Sequence, residues 1–449
     1  MEWKPLPRDL HYFSLVCICL LSFTLVFQHS LQHEHPLSWD VWYHLQISRQ
    51  ATHGELFWDY SSFGPEGRPQ IYPPLLHVFT ALLFRAGIPL EVISRGMAPI
   101  LFTATILTLY LFIREVWNRS TALVACFFAS VSPALLDRGV AYTPESLSFI
   151  FLFCGFYFFS KHRWVLSGVC GGLLLLTHGI TSITYFSVLL CYTVCGYVIF
   201  KKSEWKGVLI LCVVALAVGS PWLMRSFPAF IPRGFSYPLS YYPERLGVIQ
   251  VVCAFLGGAF LSRDTKSLFV LSFVLPLLVL SQVSPSLPYR FVEFLVFPAC
   301  ILAGIFVNRL GTIHWKPYAV AVLFLMAFAQ GFWSIEHYLP VVTEEEVAAF
   351  TWAGTLSVKG YTIMSEGNAA PLIAYFSQTP TVKGAYQFGA PDIVERNKDV
   401  RQFYMDYSSS LFSKYDVSLV YFGAEERLHA TGPPLDAVYT TRNTKFFHR

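Results

Sequence analysis

The chain has 449 residues, of which 54% are hydrophobic and only 13% are charged. Soluble domains usually carry about 25% charged residues, so this composition excludes an ordinary soluble domain and indicates an integral membrane protein. The formal net charge of +4 is small for this length and argues against a nucleic-acid partner.

Apolar runs with the length of a transmembrane helix recur along the chain up to residue 335. A helix needs about 20 mainly apolar residues to cross a bilayer. We predict eleven transmembrane helices, over residues 11–30, 96–113, 119–136, 146–160, 164–177, 181–200, 207–223, 246–262, 267–283, 290–307 and 317–335. No small-residue cleavage site follows the first run, so we expect it to stay in the protein as a helix.

Residues 72–84 form a further apolar run, which is short for a span and typical of a helix lying on the membrane surface. The distribution of Lys and Arg over the loops decides whether this run crosses the membrane or lies on its surface. If this run does not cross and the N-terminus is cytoplasmic, the cytoplasmic segments hold 13 Lys and Arg and the short outer loops hold five. We therefore predict that residues 72–84, the first loop, 31–95, and the C-terminal part all lie on the outer face.

The chain divides near Pro340, where the apolar runs end and a mixed composition begins. After it, helix-like and strand-like segments alternate, which suggests a small α/β layer. We expect helices over 343–354, 368–378 and 391–415, strands over 361–366, 379–384 and 417–423, a capping box of Thr343 with Glu346, and a closing hairpin that turns at Arg442 and Asn443. The predicted fold is a polytopic α-helical membrane domain, 1–339, followed by an extracytoplasmic α/β domain, 340–449.

All ten cysteines lie in apolar runs, and none lies in the polar C-terminal part. This excludes a disulfide framework or a cysteine metal site there, and we interpret the thiols as small buried hydrophobes. The sequence also contains no P-loop, Gly-rich dinucleotide turn, HExxH or GxSxG motif. Any chemistry must therefore come from the charged residues of the outer loops.

Asp40 follows the first predicted span and opens an aromatic-rich segment, WDVWYHLQ. Asp40 and His44 are four residues apart, so on a helix they share one face. A carboxylate there can bind a divalent cation or act as a general base, but Ser38 and Asp40 also suit a helix N-cap. Asp59, further along the same loop, is expected to be solvated.

Glu145 and Arg290 each lie where a predicted outer loop enters a span. A Thr-Pro pair followed by Glu145 is what the N-terminus of a helix prefers, yet ionisable groups at span ends are costly and often functional. Arg290 has the planar fork that binds phosphate or pyrophosphate, although Glu293, three residues later, could simply pair with it. For Glu145 and Arg290, a functional role and a purely structural role at a helix start both remain open.

Three more polar residues open or precede predicted spans. His178 lies in a tight turn between two spans, where it is either a helix cap or a ligand. Glu244 and Arg245 open another span and are equally open to a structural or a functional interpretation. Aromatic residues are numerous on the outer loops; they suit an interfacial belt and would also suit stacking on sugar rings.

The first predicted loop begins with WDVWYH and ends with IYPPLLH. It resembles the first luminal loop of the GT-C membrane glycosyltransferases, and in particular that of the archaeal oligosaccharyltransferase catalytic subunits. In that family the loop begins with an Asp, two aromatics and often a His, and it ends in a Tyr-Pro helix along the membrane. The matching residues here are Asp40, Tyr43, His44, Tyr72 and Pro73.

Two further segments resemble the same family. The one around Glu145 is similar to the second acidic loop, with Thr143 where the first acidic residue is expected, and the one around Arg290 is similar to the arginine-bearing span. Residues 363–388 resemble the region of the acceptor-recognition motif, but the Trp-Trp-Asp-Tyr-Gly motif itself is absent. The absence of this motif is a departure from the family at the region that recognises a peptide acceptor.

The resemblance implies roles for individual residues. Asp40 would bind a metal or act as base on the acceptor, Glu145 would support the metal or orient the acceptor, and Arg290 would hold the carrier phosphate. The remaining predicted substrate-binding residues are His44, His178, Glu244 and Tyr43. Some GT-C enzymes use a divalent ion and others use none; Mg²⁺ or Mn²⁺, held by Asp40 and Glu145, is the ion expected where one is used.

The implied activity is transfer of a sugar or oligosaccharide from a polyprenyl-phosphate-type lipid carrier to a glycan, lipid or protein acceptor on the extracytoplasmic face. One alternative is an oligosaccharyltransferase acting on Asn of proteins. Another is a non-catalytic lipid-linked sugar transporter or scaffold. The spans are nearly free of charge and the polar groups cluster at their outer ends, which favours the enzyme over the transporter.

Overall fold

The computed structural model describes residues 8–202, 204–226, 238–284, 287–310, 316–338, 341–356, 361–386, 390, 392–424, 426–428, 435–441 and 444–448. Its helices are α1 (Arg8–Gln32), α2 (Trp39–Thr52), α3 (Leu75–Arg85), α4 (Leu90–Val116), α5 (Arg119–Ser130), α6 (Pro133–Val140), α7 (Pro144–Ser160), α8 (Trp164–Leu175), α9 (Gly179–Phe200), α10 (Trp205–Ser226), α11 (Tyr242–Leu246), α12 (Val248–Gly258), α13 (Thr265–Val283), α14 (Pro288–Phe294), α15 (Val296–Arg309), α16 (Lys316–Glu336), α17 (Glu344–Leu356), α18 (Ala370–Ser377), α19 (Ile393–Asp406) and α20 (Ser410–Lys414). The strands are β1 (Trp58–Asp59), β2 (Arg68–Pro69), β3 (Thr362–Met364), β4 (Val417–Phe422), β5 (Ala437–Thr440) and β6 (Lys445–His448).

Every predicted span falls on a helix or a broken helix, which confirms a polytopic helical fold. Within the described residues, seven helices are long and apolar enough to cross a membrane, and the pair α5 and α6, bent by 65°, makes an eighth if it is one span. The three other predicted spans fall on shorter apolar helices, α7, α8 and α12. Since a 12-residue helix such as α8 is only about 18 Å long, the count of eleven stays a prediction.

Contacts divide the chain into two compact units. The first comprises Met1–Gln32, Arg95–Met224 and Ile231–Tyr338, and the second comprises His33–Ser94, Arg225–Phe230 and Leu339–Arg449. Residues 33–94 of the predicted first loop thus pack with the C-terminal residues, a grouping that the sequence division near Pro340 did not include. The predicted domain boundary near Pro340 stays a prediction.

The first unit is a helical bundle with an apolar core rich in phenylalanine. Phe112, Phe153 and Phe156 pack together where α4 meets α7, at ring-centroid distances of 5.5 to 6.5 Å. Small residues let the backbones approach closely, as is common between membrane helices. At Gly304 on α15, a Cβ atom would lie 2.7 Å from the carbonyl oxygen of Thr121 on α5.

The second unit contains a four-stranded sheet in the order β3-β4-β6-β5. β3 and β4 are parallel, with Ile363 opposite Leu419, whereas β6 pairs antiparallel with both β4 and β5. Helices α18 and α19 lie between β3 and β4 in sequence, so the predicted α/β layer is confirmed. The turn of the closing hairpin at Arg442 and Asn443 lies outside the described residues.

Local expectations for the C-terminal part are mostly confirmed. The Thr343 N–H donates to Glu346 Oε2 at 2.9 Å and the Glu346 N–H donates to Thr343 Oγ1 at 3.3 Å, which is a capping box. The predicted strand over 379–384 is wrong, because only Thr381 forms bridges there, to Ser62 and Ile363. Pro380 has no N–H to donate to a ladder, which prevents a regular strand.

Candidate active site

The first unit contains a buried cluster of charged side chains contributed by four short helices or helix ends. Its members are Asp137 and Arg138 on α6, Glu145 on α7, Arg245 on α11, and Arg290 and Glu293 on α14. Three carboxylates face three guanidinium groups, so the cluster is neutral as a whole. We refer to these six residues as the arginine–carboxylate cluster.

Glu293 lies at the centre of this cluster and is 5% exposed. Arg138 donates to both of its oxygens, from Nε to Oε2 and from Nη2 to Oε1, at 2.9 Å each. Arg245 bridges Glu293 Oε1, at 2.7 Å, and Asp137 Oδ2, at 2.8 Å. Bidentate pairs of this kind are the strong class of charged hydrogen bonds, so Glu293 fixes two of the three arginines. Its contact with Arg290, predicted from their spacing, is longer, at 3.7 Å.

Glu145 holds the third arginine. It is 1% exposed, and its Oε2 accepts from Arg290 Nη2 at 2.8 Å and lies 3.4 Å from Arg138 Nε. Its other oxygen, Oε1, has no hydrogen-bond partner among the residues that the structure describes. The Arg290 side chain is 14% exposed, so it keeps a surface that a small anion can reach.

A proline lies shortly before Glu145 and shortly before Arg290, and each proline marks where the helix begins. Pro144 and Pro288 each occupy the first turn of a helix, α7 and α14, where the missing N–H is harmless and the fixed φ favours helix initiation. Glu145 therefore lies in the first turn of α7, where its charge is also favourable to the helix dipole. Glu145 is therefore both a residue of the helix start, as one interpretation predicted, and the partner of Arg290.

His178 and Glu244, the other predicted residues of this unit, differ in their surroundings. His178 is the N-cap of α9, its Nδ1 accepting from the Thr181 N–H at 3.4 Å, so the capping interpretation is confirmed. Burial and the positive charges of Arg290 and Arg138 hold the pKa of His178 well below its usual value. Glu244 is exposed, and its neighbour Arg245 is the one that joins the cluster.

Asp40, the first of the predicted residues in the second unit, lies in the first turn of α2. Ser38 is the N-cap of that helix, and its side chain accepts from the Asp40 N–H at 3.3 Å. The Asp40 carboxylate is therefore not needed as a cap. Its Oδ1 instead accepts a hydrogen bond from the Tyr386 hydroxyl at 2.7 Å.

A buried polar network supports the start of this helix. Arg68 donates from Nε to Asp59 Oδ2 at 3.1 Å and from Nη2 to the Tyr43 hydroxyl at 3.0 Å, and that hydroxyl donates to Gln70 Oε1 at 3.3 Å. Burial raises the pKa of Tyr43 to about 12, so the phenol stays neutral. The expectation that Asp59 is solvated is wrong: it is 0% exposed and also accepts from Ser61, because a buried arginine needs a carboxylate partner.

His44 pairs with a second histidine from α3. Its Nδ1 lies 2.9 Å from His77 Nε2, and the two side chains are 1% and 0% exposed. Burial lowers the pKa of His77 to about 3, so the His77 ring is neutral near pH 7. One ring nitrogen donates and the other accepts. The substrate-binding roles of His44 and Tyr43 stay predictions, since both side chains are buried in this network.

The predicted residues thus form two groups, one in each unit: Glu145, Arg290 and His178 in the first, and Asp40, Tyr43 and His44 in the second. Sequence reasoning did not assign Arg138 or Glu293 to the first group, although charges next to span ends were the signal. It did not find Tyr386 either, and its neighbourhood in the sequence offers no pattern that would have marked it.

Polytopic helices with a small α/β layer are also the architecture of the GT-C membrane glycosyltransferases, whose fold this chain resembles. The family model described as dolichyl-phosphate-mannose-protein mannosyltransferase matches residues 72–224. The resemblance to GT-C enzymes that the sequence indicated is confirmed. No curated protein sequence matches this chain.

Solved structures of three membrane glycosyltransferases are similar to this chain. The apo oligosaccharyltransferase of Archaeoglobus fulgidus has a TM-score of 0.77 at 13% identity, covering 93% of this chain and 70% of that one. ArnT from Cupriavidus metallidurans, bound to undecaprenyl phosphate, has a TM-score of 0.68 at 13% identity, covering 98% of both chains. Arabinofuranosyltransferase AftD from Mycobacteria has a TM-score of 0.61 at 15% identity, covering 100% of this chain and 42% of that one. At these identities the likeness shows the fold alone.

Proposed function

We propose that this chain transfers a sugar from a polyprenyl-phosphate carrier to an acceptor on the extracytoplasmic side of a membrane. The observation that carries the proposal is Arg290, a partly exposed guanidinium set in a buried arginine–carboxylate cluster at the start of α14. A planar fork of this kind suits the oxygens of a lipid phosphate. The fold adds support, since ArnT was solved with undecaprenyl phosphate and the Archaeoglobus oligosaccharyltransferase with a dolichol-phosphate.

Arg290 acts on the leaving group in this proposal. As the bond between the anomeric carbon and the carrier oxygen breaks, negative charge grows on the phosphate, and a fixed guanidinium stabilises that charge. Glu145 acts through Arg290 by holding it in place at 2.8 Å and, together with Arg138, by keeping the buried cluster neutral. It is therefore a positioning residue.

Asp40 acts on the acceptor. An acceptor hydroxyl attacks the anomeric carbon with inversion, its proton passes to the Asp40 carboxylate, and the carrier leaves as a phosphate. The carboxylate is partly exposed and is oriented by Tyr386, whereas Asp59, the other acidic residue of the same loop described above, is enclosed by its arginine. This contrast favours Asp40 as the base.

The first unit is poorly suited to bind the divalent ion that the resemblance implies. The described residues contain no group of three or more His, Cys, Asp or Glu side chains that could hold a metal. Glu145 lies between two guanidinium groups, which are poor neighbours for a dication. Mg²⁺ or Mn²⁺ at Asp40 stays a prediction, and no step of the proposal passes through an ion.

The proposed orientation has a cytoplasmic N-terminus and an extracytoplasmic C-terminal part. It is supported by the Lys and Arg distribution over the loops. Alkaline phosphatase fused after residue 449 should be active and green fluorescent protein fused there should be dark in a bacterial host. A dark phosphatase with a bright fluorescent fusion would reverse the orientation.

The activity is tested in membranes from cells that carry the chain as their only copy, so that the natural acceptor is present. The probes are tritiated mannosyl, glucosyl and galactosyl phosphates of dolichol and undecaprenol. We expect transfer of label from at least one probe, and a loss of more than 100-fold for Asp40→Asn and for Arg290→Ala. The matched controls, Asp436→Asn and Arg401→Ala, change exposed side chains and should transfer normally. Wild-type rates for both site variants would overturn the proposal.

An oligosaccharyltransferase is the second candidate, favoured by the TM-score of 0.77 to that enzyme, which was also solved with a peptide containing an NVT sequon. The match in length favours the first candidate, because this chain covers 98% of ArnT and 70% of the oligosaccharyltransferase. A fluorescent Asn-Val-Thr peptide added to the same membranes separates the two. Glycosylation of that peptide, absent with Gln-Val-Thr, would establish the second candidate.

A further inference from the structure

Tyr386, from the stretch between α18 and α19, lies against Asp40 in the second unit. The Tyr386 hydroxyl donates to Asp40 Oδ1 at 2.7 Å, across 346 positions of the chain. A hydrogen bond from a hydroxyl to a carboxylate is short and roughly twice as strong as one between neutral groups. The predicted base is therefore in direct contact with a residue that the sequence analysis gave no role.

Aromatic rings hold Tyr386 in this position. The ring centroids of its neighbours lie at 4.4 Å for Tyr43, 5.4 Å for Tyr72, 5.5 Å for Trp39 and 5.8 Å for His44. The Tyr72 ring meets Tyr386 edge-to-face, and the other three rings are tilted against it, so none of these pairs is a face-to-face stack. The hydroxyl is thus fixed by contacts on several sides of its ring.

The nearest of these neighbours is itself immobilised. Tyr43 is 2% exposed, and its hydroxyl accepts from Arg68, which is paired with the buried Asp59. A continuous series of contacts therefore runs from the buried ion pair through Tyr43 and Tyr386 to the Asp40 carboxylate. Supporting contacts of this kind keep a reacting group within a fraction of an ångström of its productive position.

We infer that Tyr386 is a positioning residue that orients the Asp40 carboxylate for proton abstraction from the acceptor. The inference rests on the proposed function, because it assigns Tyr386 to Asp40 in its role as base. Tyr386 keeps its own proton throughout. A purely structural Tyr386 would contribute through its ring, whereas a positioning Tyr386 contributes through its hydroxyl oxygen.

The titratable groups packed around Tyr386 decide how the pH profile is interpreted. They are Asp40, Tyr43 and His44 on α2, Tyr72 before α3, and His77 on α3 through its contact with His44. Tyr386→Phe keeps the ring that contacts the tyrosines and His44, so it leaves their packing in place. It removes the hydroxyl that donates to Asp40, and loss of a hydrogen bond to the charged form raises a carboxyl pKa.

The test compares Tyr386→Phe, Tyr386→Ala, Asp40→Asn and the control Tyr60→Phe, which changes an exposed tyrosine of the first loop. Transfer from the tritiated probe that the wild type uses is measured between pH 4.5 and 8.5, with thermal unfolding of each purified variant. For Tyr386→Phe we expect a kcat about tenfold lower, an unchanged KM for the donor, and an acid limb about one pH unit higher. Its unfolding temperature and the whole behaviour of Tyr60→Phe should match the wild type.

The outcomes distinguish failure of the positioning role of Tyr386 from failure of the proposed function. If Asp40→Asn is inactive and Tyr386→Phe is wild-type in rate and pH profile, the positioning role is overturned and the proposed function stands. A rate loss in Tyr386→Phe that comes with a lowered unfolding temperature and an unmoved acid limb also overturns it, because only folding has changed. If Asp40→Asn transfers normally, Asp40 is not the base, and the proposed function fails at that residue.

Discussion

Arg290 and Glu145 are 145 positions apart in the chain, and the Arg290 Nη2 atom lies 2.8 Å from Glu145 Oε2. The group proposed to hold the carrier phosphate is therefore already occupied by a carboxylate. In the proposed function, a phosphate on the exposed side of Arg290 would compete with the Glu145 carboxylate for the charge of the same guanidinium. The buried negative charge of Glu145 would then set how tightly the lipid phosphate is held, and hence how readily the spent carrier leaves.

Glu145→Gln should therefore tighten binding of the spent carrier. Without the carboxylate charge, Arg290 and Arg138 carry an uncompensated positive charge, and we expect the Kd for dolichyl phosphate in detergent to fall about tenfold. That corresponds to about 1.4 kcal/mol, well under the about 4 kcal/mol of Coulomb energy for two charges 4 Å apart near a protein surface. The exposed Glu345→Gln is the matched control. Unchanged or weaker binding would show that Glu145 does not compete with the phosphate.

Arg290→Lys tests whether the fork itself matters. Lysine keeps the charge but presents a single ammonium group, so it cannot bind two phosphate oxygens in parallel. We expect KM for the polyprenyl-phosphate sugar to rise about tenfold, which is about 1.4 kcal/mol of lost binding. Arg401→Lys, an exposed substitution of the same type, should leave KM unchanged. A KM within twofold of the wild type in Arg290→Lys would mean that charge alone suffices.

Sequence patterns predicted the helical fold well because apolar length is a strong local signal. Each predicted span falls on a helix or a broken helix, and strands around Ile363 and Val420 lie within the segments predicted for them. The prediction of a strand at residues 379–384 was wrong because Pro380, visible in the sequence, cannot donate to a ladder, and because the two isolated bridges of Thr381 depend on tertiary contacts. Propensity cannot include such contacts.

The candidate site was predicted only in part, for a physical reason. Asp40, Glu145 and Arg290 stand at helix starts, where a sequence marks them with proline or serine nearby. Their partners come from elsewhere: Arg138 reaches Glu293 across 155 positions and Tyr386 reaches Asp40 across 346. Pairings at that separation are determined by packing, which a single sequence does not display.

Asp59→Ala should destabilise the protein strongly, because it removes the carboxylate that pairs with the buried Arg68 guanidinium at 3.1 Å. Removing one partner of a buried ion pair costs about 3–5 kcal/mol, and both side chains are almost fully buried here. The double variant Asp59→Ala with Arg68→Met should unfold at a higher temperature than Asp59→Ala alone, since no unpaired charge remains. Thermal unfolding in detergent measures both, with the exposed Glu55→Gln as control, expected within about 0.5 kcal/mol of the wild type. Equal unfolding temperatures for Asp59→Ala and the control would contradict the burial of this pair.

Acid should destabilise the protein through the His44–His77 pair. Burial lowers the pKa of His77 to about 3, whereas an unfolded histidine titrates near about 6.5. Between these values the unfolded state binds more protons than the folded state, so stability is retained above about pH 6.5 and falls as the pH drops towards 3. The expected loss is about 1.4 kcal/mol per pH unit below about pH 6.

Thermal unfolding between pH 5.0 and 7.5 checks this dependence, with His77→Asn and His53→Gln compared with the wild type. His77→Asn removes the buried titrating ring that donates to or accepts from His44, so its unfolding temperature should be lower at pH 7.5 and flatter with pH. His53 is exposed, so its variant should follow the wild-type curve. If the slope persists in His77→Asn, the acid sensitivity arises from another group, and protonation of His77 is not its cause.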